Sequence, residues 1–180
     1  MQPSSTLSGI RHDLTAAREA LRAAFDAVPE SRRQDAPGDG GWSAAGVIEH
    51  LAVIEEKAAA TLRPLVEGAP PAPAGQTATP LDAARITDRS DGRRAAPEFS
   101  HPTGVVDATL AWAALERTRR SLETVLDLAE GKDLTAIGRD HPVLGRIDGY
   151  QWLALLGAHE RRHVGQLRGL SDALRATEPQ

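Results

Sequence analysis

Trp152-Leu153-Ala154-Leu155-Leu156-Gly157-Ala158-His159-Glu160-Arg161-Arg162-His163-Val164-Gly165-Gln166-Leu167 is the stretch whose reading decides the fold. Trp152, Leu156, His159, His163, Leu167, Leu170 and Leu174 follow one another at spacings of three and four, the signature of a single helical stripe. Two histidines therefore stand where an aliphatic residue is expected. A neutral imidazole among apolar side chains needs a partner for its nitrogens, and residues four apart project side by side. His159 and His163 can present both rings to one ion. The helix begins at Asp148, which forms a capping-box pattern with Gln151.

Working outward, a second helix carries a third inward histidine. Ser43 is a good N-cap residue, and Val47, Ile48, Leu51, Ile54, Ala58 and Leu62 form the stripe, with Pro64 and Gly68 expected to end it. His50 falls inside that stripe. Before it, Ile10, Leu14, Ala17, Leu21, Ala24 and Val28 predict a first helix over Ser8–Val28, stopped by Pro29 and the glycine-rich segment at 37–41. A third helix is expected over Val106–Ala129, with Leu115, Thr118, Leu122, Val125 and Ala129 inside and Arg117, Arg119, Arg120 and Glu123 in water.

Between the second and third helices lies a Pro-, Gly- and Ala-rich segment from Gly68 to Pro102, with a charged patch at 88–94 and a short helix expected over Leu81–Ile86. A connection of that length suits a crossover between two parallel helices of a bundle. The fold class is therefore all-α: a four-helix bundle with a long crossover between helices 2 and 3, forming a single domain over residues 1–180.

Composition narrows the function classes. The 180 residues carry a formal net charge of −4 and no long basic run, so the attraction that drives nucleic-acid binding is missing. No stretch approaches the ~18 consecutive apolar residues of a spanning helix, and the N-terminus lacks the pattern of a signal peptide, so neither membrane nor nucleic acid is an expected partner and the expected location is cytoplasmic. Aromatic residues are only 3% of the chain, which favours close helix packing over a strand-rich core. Cysteine is absent, removing disulfides, thiolate ligands and a cysteine nucleophile together.

His50, His159 and His163 together supply three nitrogen donors and leave coordination positions open, the arrangement of a catalytic metal site. Such ligands suit zinc, nickel or ferrous iron. Glu55, Glu160 and Gln166 are candidates to orient the imidazoles, although each also reads as a solvated surface residue. His12, His101 and His141 are read as non-ligands.

The segments Trp42-Ser43 followed by His50, His141-Pro142-Val143-Leu144-Gly145, Trp152-Leu153 and His159 to Leu167 resemble the DinB superfamily of four-helix bundle proteins, which includes YfiT-like metal-dependent hydrolases and thiol S-transferases. The resemblance spans nearly the whole chain. It implies a nickel or zinc ion on His50, His159 and His163, often a homodimer, and transfer chemistry using small thiols such as bacillithiol, mycothiol or glutathione. Three readings stand open: a transferase acting on a small-molecule substrate with a low-molecular-weight thiol, a hydrolase activating water with Glu55 or Glu160 as acid or base, and a non-enzymatic metal-binding or dimerisation bundle.

Overall fold

The computed structural model describes residues 6–38, 40–74, 79–88, 96–141 and 143–176. Helix α1 spans Leu7–Asp26, where Thr6 caps the start by accepting the Gly9 N–H at 3.2 Å. Helix α2 spans Ala44–Glu67, and the Ser43 hydroxyl accepts the Gly46 N–H at 3.1 Å, as the sequence predicts. A short α3 covers Ala84–Thr87. Helix α4 runs Ala108–Leu128 behind Asp107, whose carboxylate accepts the N–H groups of Thr109 and Leu110. Helix α5 runs Gly149–Ala176, and its capping box forms: Asp148 accepts the Gln151 N–H at 2.9 Å while Gln151 accepts the Asp148 N–H at 3.0 Å.

The burial pattern gives the helix directions. One apolar cluster joins Leu21 and Phe25 of α1, Val47 and Ile48 of α2, Leu115 of α4 and Leu167 of α5. The other joins Ile10 and Leu14, Leu62 and Val66, Leu122 and Val125, Leu153 and Leu156. Reading each helix from its start, α1 and α5 pass from the second cluster to the first, whereas α2 and α4 pass the other way. The order is up-down-down-up, so α2 and α4 are parallel and the long segment between them crosses over the length of the bundle. Among the described residues no helix is long and apolar enough to cross a membrane.

Several expectations need correction. Pro64 does not end α2; it lies inside the helix, which runs on to Glu67 before Gly68 closes it with its N–H on the Pro64 carbonyl at 3.2 Å. One missing N–H near a helix end removes a single bond, and the last turn survives it. The short helix starts three residues later than expected and ends one residue later. Ahead of α5 stands an unexpected hairpin, β1 (Gly138–His141) paired antiparallel with β2 (Gly145–Asp148), turned at Gly145 with φ +73°. Its strands are four residues each and carry Arg139, Asp140 and Arg146, so no apolar alternation announces them. Of the charged patch at 88–94, only Asp88 lies within the described residues, and Pro142 also lies outside them.

A band of buried charge separates the two apolar clusters. Arg18 of α1 donates to Glu55 of α2 at 2.9 Å and to Glu160 of α5 at 2.6 Å; Arg119 of α4 donates to Glu55 at 2.6 Å and to Glu160 at 2.9 Å. The Thr118 hydroxyl adds a bond to Glu55 at 2.9 Å. Arg119 was expected in water, and Glu55 and Glu160 at the surface; all three are instead inside, with side chains 13%, 5% and 4% exposed. Two guanidiniums and two carboxylates balance in number, and remaining N–H groups reach the Leu14 and Leu115 carbonyls. Burial pushes the Glu160 carboxyl above its ordinary range, against the pull of Arg18 and Arg119.

Breaking such a quartet leaves a charge stranded in the interior. Glu55→Ala should lower unfolding free energy by about 3–5 kcal/mol, read as a shift of the urea midpoint; a change under about 1 kcal/mol would show that the quartet does not hold the bundle.

Candidate metal centre

His50 projects from the second turn of α2, between Val47 and Leu51 of one apolar cluster. Its Nδ1–H donates to the Ser100 carbonyl at 2.8 Å, and Ser100 is fully buried in a short turn of the crossover. A proton on Nδ1 leaves the Nε2 lone pair free. His163 is held the same way from its own helix: Nδ1–H donates to Gln166 Oε1 at 2.9 Å, again freeing Nε2. His159 stands one turn earlier on α5 and brings its Nε2 to 3.4 Å from that of His50 and 3.2 Å from that of His163. The three residues sequence reasoning selected are thus brought together, each offering one ligand atom within 4.8 Å of the others.

Those separations can be compared with a coordination shell. Zinc–nitrogen bonds of about 2.0–2.1 Å at tetrahedral angles place neighbouring nitrogens about 3.3 Å apart. The observed 3.2 and 3.4 Å match that spacing. Protonation also favours an ion. Burial pushes His159 down to about 3, with the neighbouring His50 and Arg162 adding to the effect, and burial pushes His50 down as well despite its bond to Ser100. Near neutral pH both rings are neutral, the form a metal needs.

The triad lies on the wall of a cavity of about 1170 Å³. Trp42, just before α2, lays its ring 4.8 Å from His50 and 6.5 Å from His163. The crossover closes one side: Arg162 donates to the Ile86 carbonyl at 3.1 Å and to the Asp88 carbonyl, tying α3 against α5. Glu49 anchors its far end, accepting the Thr103 N–H at 3.1 Å and hydroxyl at 2.8 Å. Lys57 sits over the Phe99 ring at 4.3 Å, and Arg139, His141 and Trp152 line the cavity from the hairpin and the first turn of α5.

Of the three residues expected to orient the imidazoles, Gln166 does so. Glu55 and Glu160 do not, because Arg18 and Arg119 engage them in the charged band; no bond from either reaches a histidine. His12 is exposed, and neither His101 nor His141 joins the triad, although both line the cavity. Ser100 had no sequence signal, since it acts through its backbone carbonyl. Trp152 was read as core; it is half-buried, lines the cavity, and its buried Nε1–H has no acceptor among the described residues, a situation that costs about 1–3 kcal/mol until an acceptor arrives.

The sequence model of the DinB superfamily matches residues 13–167. The chain belongs to the DinB superfamily. Within the curated proteins this DinB chain is similar to the uncharacterized protein YuaE of Bacillus subtilis strain 168, at 25% identity over 133 residues, 74% of this chain and 79% of that protein. Among solved structures, TT2238, described as a four-helix bundle protein, matches with a TM-score of 0.54 and 20% identity, covering 96% of this chain and 100% of that one. That likeness shows the fold alone, a four-helix bundle.

The depressed His159 fixes the sign of one pH effect. The unfolded chain binds a proton on this residue below its ordinary 6.5, whereas the folded chain stays neutral down to about 3. Stability of the metal-free protein should therefore fall as pH drops from about 6.5 towards 3, by up to about 1.4 kcal/mol per pH unit from this residue. Urea unfolding between pH 7 and 5 should show a shallower slope for His159→Phe than for the parent; equal slopes would count against a neutral, buried His159.

Proposed function

We propose that this chain is a metal-dependent transferase in which His50, His159 and His163 hold one divalent ion and a low-molecular-weight thiol supplies the nucleophile. The observation that carries the reading is an open tri-histidine centre on the wall of a large cavity, in a chain with no cysteine. A divalent ion held there supplies Lewis acidity, which lowers the pKa of a thiol and favours its thiolate near neutral pH.

The protein's own residues prepare that chemistry in three ways. Ser100 and Gln166 hold the Nδ1 protons of His50 and His163, so the Nε2 lone pairs face a common point without a tautomer change. Trp42 and the aliphatic wall around Leu156 keep bulk water from one side of the centre. The cavity has room for both a thiol and an organic electrophile. In the transfer, sulfur forms a bond to the electrophilic carbon, the leaving group departs with its electron pair, and the thiol proton passes to solvent or to the leaving group.

The hydrolytic alternative asks for a carboxylate beside the centre. Its two sequence candidates, Glu55 and Glu160, are occupied by Arg18 and Arg119, which favours the thiol reading.

Elemental analysis of the purified protein should find roughly one zinc, nickel or iron per chain, and His159→Ala should reduce it several-fold. Metal-loaded protein should then consume a chromogenic aryl halide only when glutathione, bacillithiol or mycothiol is added. Turnover of ester or amide substrates without thiol would replace this reading with the hydrolytic one, and a chain that can be neither isolated with metal nor loaded would end both.

A further inference from the structure

Two ring N–H groups stand without acceptors among the described residues on the cavity wall made by the hairpin and the first turn of α5. His141 Nδ1 accepts the N–H groups of Val143 and Leu144, at 3.2 Å each, so this nitrogen carries a lone pair and the neutral ring bears its proton on Nε2. Nothing among the described residues accepts that proton. Trp152 meets the His141 ring edge-on, with centroids 5.4 Å apart, and its own Nε1–H is buried and unpartnered. Two residues before His141, and so on the same face of β1, stands Arg139, exposed and without a carboxylate partner among the described residues.

The charges around the cavity point the same way. Among the described residues its lining includes Lys57, Arg139 and Arg162 but a single carboxylate, Asp140. Trp152 and His159 are seven residues apart on α5, two turns along one face, or roughly 10 Å. Leu155 and Leu156 lie between them and also line the cavity. The wall thus runs from the histidine centre across an aliphatic stretch to two ring N–H groups without acceptors among the described residues, with the cationic Arg139 nearby.

We propose that His141 Nε2–H and Trp152 Nε1–H, with Arg139 beside them, form a carboxylate-binding subsite, so that the organic co-substrate is an apolar-bodied acid whose carboxylate lies roughly 10 Å from its reacting carbon. The two donors take one carboxylate oxygen each or share one, and Arg139 supplies the neutralising charge. These are specificity-determining residues; they bind the end of the molecule remote from the reaction. The assignment rests on the cavity holding the organic co-substrate of the proposed transfer.

Octanoate and 1-octanol, equal in chain length and differing in the head group, test it in zinc-loaded protein by quenching of tryptophan fluorescence and by calorimetry. Octanoate should bind at least roughly ten-fold more tightly, the scale of one charge-assisted hydrogen bond in a shielded site. Trp152→Phe, which keeps a ring in place and removes the N–H, should cut that preference several-fold and leave octanol binding and zinc content unchanged. His141→Phe should do the same, and Arg139→Gln should weaken octanoate and flatten its salt dependence. Equal binding of the two probes, no saturable octanoate binding, or a preference that Trp152→Phe does not alter would overturn the subsite. A preference that vanishes on chelation of zinc and ignores Trp152→Phe assigns the carboxylate to the metal, and overturns it too. Thiol and turnover play no part in this measurement, so an intact preference without thiol-dependent activity would end the transferase reading alone.

Discussion

Arg18, Glu55, Arg119 and Glu160 meet in the middle of the bundle, one from each of the four long helices, and the placement of everything else depends on that meeting. Apolar packing of leucines and alanines tolerates small rotations and slides of one helix against another. A buried guanidinium that must reach two carboxylates does not, because a slide of one residue strands its charge. Glu160 is the neighbour of His159 on α5, and Glu55 lies five residues beyond His50 on α2. The ion quartet therefore sets the rotation and height of the two helices that carry the histidines, and the triad inherits its 3.2 and 3.4 Å spacings from a lattice of charge on the other side of the same helix.

That arrangement divides the molecule into layers. Apolar clusters fill both ends, a layer of buried charge lies between them, and the imidazoles open onto the cavity beside one of the clusters. His50 and His159 stay uncharged through burial, whereas the carboxylates and guanidiniums stay bonded to one another. One set of groups is structural in its chemistry and the other has lone pairs to give. The crossover completes the second by placing the Ser100 carbonyl on His50 and the Ile86 carbonyl on Arg162.

Helix-scale features were legible in the sequence because they follow from spacing and caps. The α5 stripe, the Ser43 cap and the Asp148–Gln151 box each appear where the residues put them, and the three inward histidines converge as their stripes require. Features that depend on partners distant in the chain were not legible. Arg119 reads as surface because a long charged side chain on a helix normally is; only the simultaneous presence of Glu55 and Glu160, 64 and 41 residues away, brings it inside. The hairpin before α5 escaped because its strands are short and polar, and the role of Ser100 escaped because a backbone carbonyl leaves no mark on the residue type.

The same carbonyl has a consequence for how the molecule can vary. An orienting group made of backbone is supplied by any amino acid that fits the turn, so the identity of most crossover residues is released from the duty of holding His50. The shape and polarity of the cavity roof can then drift, one substitution at a time, while the imidazole beneath keeps its tautomer and direction. A bundle built this way separates the residues that hold the imidazoles from those that shape the cavity, and leaves the second open to change.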